Sequence, residues 1–222
     1  MPNYYSEHLN ANNLLRCYEV APVRVKQFLE AEIGFVLSRT DADSVVLDLG
    51  CGYGRVAVRL AEKVRQVTGI DISSDNIKLA EKCFSLPNIR YHVMDAIALD
   101  FPDDTFDITL CIQNGISAFR VDPEALIREA LRVTREGGLL LFSSYSDKFW
   151  NDRLHWFHIQ SKEGLIGEID DDLTKNGIIV CRDGFRAVTC SGSEFLELAS
   201  KFNIAAKIHE VDASTVFCEM RK

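Results

Sequence analysis

Apolar residues recur at two different spacings along this chain. Up to Thr40 the spacing is helical: Val25, Phe28, Leu29, Ile33, Val36 and Leu37 fall three or four apart. Pro22 stands near the start of that run, where proline is tolerated. From Val45 the chain alternates. Short β-branched runs at 45–49, 67–71, 89–94, 106–112 and 139–143 predict strands. Helix-compatible segments separate them. One runs over 54–63. A second is capped at Ser73 or Ser74 and ends near Phe84, and a third starts at Asp122-Pro123-Glu124, with Asp122 as N-cap and Pro123 at the first helical position. Gly137-Gly138 ends that helical region. Strands alternating with helices predict parallel β-α-β units in a doubly wound sheet.

The last third reads differently. Residues 145–175 show no clean period but carry Tyr145, Phe149, Trp150, His155, Trp156, Phe157 and His158, then the acidic cluster Asp170-Asp171-Asp172. A helix is expected from Ser193, with Phe195, Leu196, Leu198, Ala199 and Phe202 on its apolar side. Two strands at 204–210 and 214–219 finish the chain. The connection between them is so short that they must pair as an antiparallel hairpin. The expected fold is therefore α/β: a doubly wound, mostly parallel seven-stranded sheet with a C-terminal antiparallel hairpin and helices on both faces.

Composition narrows the class. The 222 residues suffice for one α/β domain with a sizeable core. The expected division is a helical cap over 1–40, a ligand-binding half over 45–144, an insertion over 145–192, and a last helix and hairpin over 193–222. A net charge of −8 argues against a large nucleic-acid footprint. The seven cysteines are scattered with no C-x-x-C, which fits buried free thiols in a reducing cytoplasm. The polar N-terminus reads as no signal peptide, and no run is long enough to span a membrane. His155 and His158 lie three apart with no third ligand evident, so no metal is expected.

The chemistry concentrates at Asp48-Leu49-Gly50-Cys51-Gly52-Tyr53-Gly54-Arg55. A buried strand runs into three glycines at alternate positions and then a helix, so the loop sits at the carboxyl end of a strand, where open α/β sheets bind ligands. A dinucleotide fingerprint would place its third glycine at Arg55, and Gly54 comes one residue early. Two further acids end strands: Asp71, about 20 residues past the loop, where an acid can accept hydrogen bonds from ribose hydroxyls, and Asp95.

The D-x-G-x-G-x-G pattern resembles motif I of the class I S-adenosylmethionine-dependent methyltransferases, of the type 11/25-like group. The segments 102–108 and 131–140 resemble the same family, and the resemblance covers about 45–144. It implies S-adenosylmethionine as cofactor and S-adenosylhomocysteine as product. The loop, with Asp48, Gly50, Cys51, Gly52, Gly54 and Arg55, would wrap the methionine part. Asp71 and Ile72 would meet the ribose, Asp95 the adenine amino group, and the backbone at Ala96 the ring. Ile112, Gln113 and Asn114 would line the place where acceptor meets methyl, although Gln113 and Asn114 equally suit a loop-holding role. No Asn/Asp-Pro-Pro-Tyr-like sequence stands there, which argues against acceptors on nucleic acid or protein amides. The implied activity is methyl transfer to a small molecule, by a monomer or homodimer. A protein or RNA methyltransferase, or a non-catalytic protein that binds the cofactor, remains the alternative. No catalytic residue is assigned. On the acceptor side, Trp150 and Trp156 are expected in a lid, unless they pack under the C-terminal hairpin. Tyr4, Tyr5 and His8 are expected to form an N-terminal lid, unless that end is disordered.

Overall fold

In the run Val45–Leu49 (β1) every residue is buried, as a strand covered on both faces requires. Side chains alternate along it. Val45, Leu47 and Leu49 join the apolar cluster on one side of the sheet, and Val46 joins the other. Asp48 therefore points to the side that Val46 occupies. The computed structural model describes Tyr4 and residues 9–222.

The helices Ala11–Glu19 (α1) and Val23–Leu37 (α2) precede β1. The early helical run is thus broken at Ala21-Pro22 rather than continuous. After β1 come Arg55–Ala61 (α3), Gln66–Asp71 (β2), Ser74–Cys83 (α4), Ile89–Val93 (β3), Phe106–Cys111 (β4), Gly115–Ala118 (α5), Pro123–Val133 (α6) and Thr134–Tyr145 (β5). Ser73 caps α4 by accepting Asn76 N–H, and Asp122 caps α6 by accepting Glu124 N–H. β5 starts earlier than the pattern suggests. Gly137 adopts a left-handed φ of 75° within it, and the ladder to β4 is irregular between Phe106 and Ile108.

The remaining elements are Trp150–Lys162 (α7), Ile179–Val180 (β6), Arg186–Ala187 (β7), Gly192–Lys201 (α8), Ala206–Val211 (β8) and Thr215–Arg221 (β9). α8 begins one residue before the expected start, with Ser191 and Glu194 forming a capping box. α7 corrects the expectation of an irregular 145–175. Its buried positions include Arg153 and Gln160 beside Trp156 and Phe157, and these polar residues erase the apolar period. Arg153 is buried because it donates to Gly177 O (2.8 Å) and Ala187 O (3.3 Å) and stacks on Tyr145.

The sheet order is β3-β2-β1-β4-β5-β9-β8. β3 to β5 are parallel, and β9 pairs antiparallel with both β5 and β8, as the hairpin requires. α2 and α3 cover one face, while α6 and α8 cover the other. A third apolar cluster joins α1 and α2 to α7 and the β6–β7 hairpin through Phe28, Phe149, Trp156, Phe157 and Phe185. Strand order reverses between β1 and β4, which opens a crevice above their carboxyl ends.

Candidate active site

The loop after β1 turns on three left-handed glycines: Gly50 (φ 74°), Gly52 (54°) and Gly54 (88°). Gly50 N–H and Cys51 N–H both donate to Ile70 O, tying the loop to β2. Asp71, at the end of β2, accepts Gly52 N–H at Oδ2 (3.0 Å). Its Oδ1 accepts Ser73 N–H (2.8 Å) and Asn76 Nδ2 (3.2 Å). Asp71 is thus a brace as well as a candidate ligand, since Oδ2 accepts one bond and keeps a second lone pair while Oδ1 is filled. Burial raises its pKa against these hydrogen bonds.

A cavity opens above the loop. Of the residues expected from sequence, Asp48, Gly50, Cys51, Gly52, Arg55, Asp71, Ile72, Asp95, Ala96, Ile112 and Gln113 line it. Gly54 does not; it is the left-handed residue that starts α3. Asn114 does not line it either. Its side chain is buried, donating to Val188 O (2.8 Å) and accepting Ser144 Oγ (2.7 Å), so it holds the loop.

The expected acceptor-side residues are elsewhere. Trp156 packs in the α1–α2–α7 cluster, where its indole N–H donates to Cys17 O at 2.9 Å. It backs the ring of Tyr18 (6.1 Å between centroids) rather than facing the cavity or lying under the C-terminal hairpin. Trp150 borders a separate depression with Ser146, Asp147 and Arg153. Tyr4 donates to Asp183 on the β6–β7 turn. Tyr5 and His8 lie outside the described residues. The cover comes instead from α1 and α5. A Cβ on Gly52 would meet Leu14 of α1 at 2.9 Å, and one on Gly50 would overlap the ring of Phe119. α1 is latched there, Ala11 N–H donating to Asn76 Oδ1 at 2.6 Å.

Tyr18 is a further residue of the site that the sequence does not signal. It lines the cavity, its hydroxyl donates to Gln113 Oε1 (2.7 Å), and the Arg55 guanidinium lies 5.0 Å from its ring centre. Leu14 and Tyr18 are four apart on one helix face, but nothing local says what that face meets.

The electrostatics are unusual. Asp48 is 2% exposed, and burial pushes its carboxyl up to about 7 despite the opposing charge of Arg55. Four buried side-chain atoms near this floor have no hydrogen-bond partner among the described residues: Asp48 Oδ2, Arg55 Nη2, Gln113 Nε2 and Glu32 Oε2. Two accept and two donate. Buried polar atoms without partners cost about 1–3 kcal/mol each, so their gathering at one floor calls for an explanation. Three of these residues line the cavity. An α-amino acid group, cationic at one end and anionic at the other, matches the set.

Known proteins resemble this chain in sequence and in fold. Residues 46–138 match the family model described as methyltransferase domain. The chain is 32% identical over 161 residues to 2-methyl-6-phytyl-1,4-hydroquinone methyltransferase of Synechocystis sp., covering 68% of this chain and 46% of that protein. It is 29% identical over 133 residues to a ubiquinone biosynthesis O-methyltransferase of Idiomarina loihiensis, covering 57% and 50%. The chain thus spans about half the length of these relatives. In fold it is similar to the N-methyltransferase NodS from Bradyrhizobium japonicum, solved with S-adenosyl-L-homocysteine: TM-score 0.65, 15% identity, 100% of this chain and 99% of that one covered.

Proposed function

We propose that this chain, which belongs to the class I S-adenosylmethionine-dependent methyltransferases, transfers the methyl group of that cofactor to a small-molecule acceptor. The observation that carries the reading is the cavity at the strand-order reversal, lined by the acids Asp48, Asp71 and Asp95 and by Arg55 and Gln113.

The residues present fit the cofactor. Asp48 would face its ammonium and Arg55 its carboxylate, with Gln113 beside them. Asp71 would accept a ribose hydroxyl at the free position of Oδ2, and Asp95 and Ala96 would meet the adenine. Once bound, S-adenosylmethionine supplies a methyl group on a positively charged sulfur, open to in-line attack. The protein's part is orientation and exclusion of water. Leu14 and Phe119 lie against the glycine loop and line the cavity with apolar surface. The Tyr18 phenol is held neutral by burial and donates to Gln113, so it orients rather than removes a proton.

The small-molecule reading is supported by the relatives, whose names refer to hydroquinone and ubiquinone chemistry. All seven cysteines are free thiols, which suits a reducing cytoplasmic setting. No helix among the described residues is long and apolar enough to cross a membrane.

The test has two arms. Calorimetry should show binding of S-adenosylhomocysteine and none of NAD. Incubation with methyl-labelled S-adenosylmethionine and fractionated metabolites should transfer label to a small molecule. Binding of NAD alone refutes the family reading; label appearing only in added RNA or protein refutes the acceptor class.

A further inference from the structure

Glu32 is used by no step above, yet it is the most completely buried carboxylate near the site, 0% exposed on the inner face of α2 beside Phe28, Leu29 and Val36. A charge in such a place needs partners. Its Oε1 has two, accepting Ser143 Oγ of β5 (2.6 Å) and Thr215 Oγ1 of β9 (3.0 Å). Ser143 Oγ in turn accepts the backbone N–H of Gln113 (2.9 Å). A hydrogen-bonded chain thus runs from Gln113, at the cavity wall, to Glu32 behind it. Glu32 Oε2 has no partner among the described residues. The charged group whose field favours ionised Glu32 is Arg55, which also faces Asp48. Tyr18, the other titratable group felt there, is neutral.

We propose that Glu32 is a positioning residue of the cofactor site: it fixes Gln113 through Ser143 and shares the Arg55 charge with the carboxylate of the bound amino acid, so that binding drives uptake of a proton by Glu32. This rests on the reading of the cavity as the cofactor site with its amino acid end at Arg55. The sign follows from the charges. In the empty site Arg55 favours ionised Glu32. A ligand carboxylate at Arg55 cancels that field, burial prevails, and Glu32 takes a proton. Burial already pushes Glu32 up to about 7, so a modest further rise carries it across neutral pH. Asp48 responds oppositely, because a ligand ammonium beside it favours its ionised form.

Glu32→Gln separates the two. It keeps an oxygen for Ser143 and Thr215 and removes the titrating group. Binding of S-adenosylhomocysteine is measured by calorimetry near pH 7 in buffers of different ionisation enthalpy. Wild type should take up more protons, or release fewer, than Glu32→Gln. The two affinities should agree near about pH 6, and Glu32→Gln should bind about threefold or more tighter near about pH 8.5. Equal proton counts, or weaker binding by the variant at every pH, overturn the proposal. Should the variant not fold, the Gln113 backbone amide in wild type gives a second readout by NMR. Its titration midpoint should rise on saturation with S-adenosylhomocysteine; an unmoved or lowered midpoint overturns the proposal. Wild type that binds no S-adenosylhomocysteine refutes the cofactor reading itself, a result distinct from either of these.

Discussion

Asp71→Asn separates the two duties of Asp71. Its carboxylate braces the loop through Gly52 N–H and Ser73 N–H, and it stands where the ribose would lie. Asparagine has the same shape but offers one oxygen instead of two. If that oxygen keeps Ser73 N–H and Asn76, the amide nitrogen faces Gly52 N–H, donor against donor. The free protein should then lose about 1–3 kcal/mol, the cost of one backbone N–H left without an acceptor. Affinity for S-adenosylhomocysteine should fall further. A hydrogen bond to a charged group contributes about 1.5–3 kcal/mol, or roughly ten- to a hundredfold in Kd. Urea unfolding of the free protein measures the first effect, and calorimetry on the folded variant measures the second. A folded variant whose Kd stays within about twofold of wild type would show that Asp71 is only a brace and that the ribose lies elsewhere.

Three further outcomes are expected. Arg55→Met should weaken S-adenosylhomocysteine roughly tenfold or more while leaving 5′-methylthioadenosine, which lacks the amino acid end, nearly unchanged; equal losses for both, read by competition calorimetry, would remove Arg55 from that end. Asp48 and Glu32 have folded pKa values raised above their unfolded ones, so the folded state holds more protons between about 4 and 7, and stability should fall as pH rises through that window and level off above it. Urea midpoints of the free protein check this, and Asp48→Asn should flatten the slope; a slope unchanged in that variant would mean other groups cause it. Trp156→Phe should cost about 1 kcal/mol through the lost bond to Cys17 O and lower Tm, with S-adenosylhomocysteine affinity within about twofold; a large affinity loss would return Trp156 to the site.

What could be read from sequence was local. The β1–loop–α3 unit declares itself because a fully buried strand is uniformly apolar apart from Asp48, and because a backbone with φ near +54° to +88° at alternate residues selects glycine. Asp71 and Asp95 were legible because strand ends occur at intervals that apolar runs mark. The final hairpin was legible because a short connection leaves only antiparallel pairing. The choice between the two roles open to Asn114, and the place of Trp156, were not. Each depends on a partner far along the chain: Val188 for Asn114 and Cys17 for Trp156. α7 was hidden because Arg153 and Gln160 stand on its inward side, and their acceptable burial is decided by carbonyls and rings from other segments. Glu32 shows the division most clearly. Its position, four after Phe28 and seven after Val25, puts it on the apolar face of α2, yet a lone glutamate reads as solvent-facing. Only the tertiary structure brings β5 and β9 against α2, so that Ser143 and Thr215 make its burial possible and Gln113 is joined to it. Sequence sets which backbone conformations and faces a segment favours. The long-range packing decides which charges lose their water, and with it where the unpartnered atoms of the site lie.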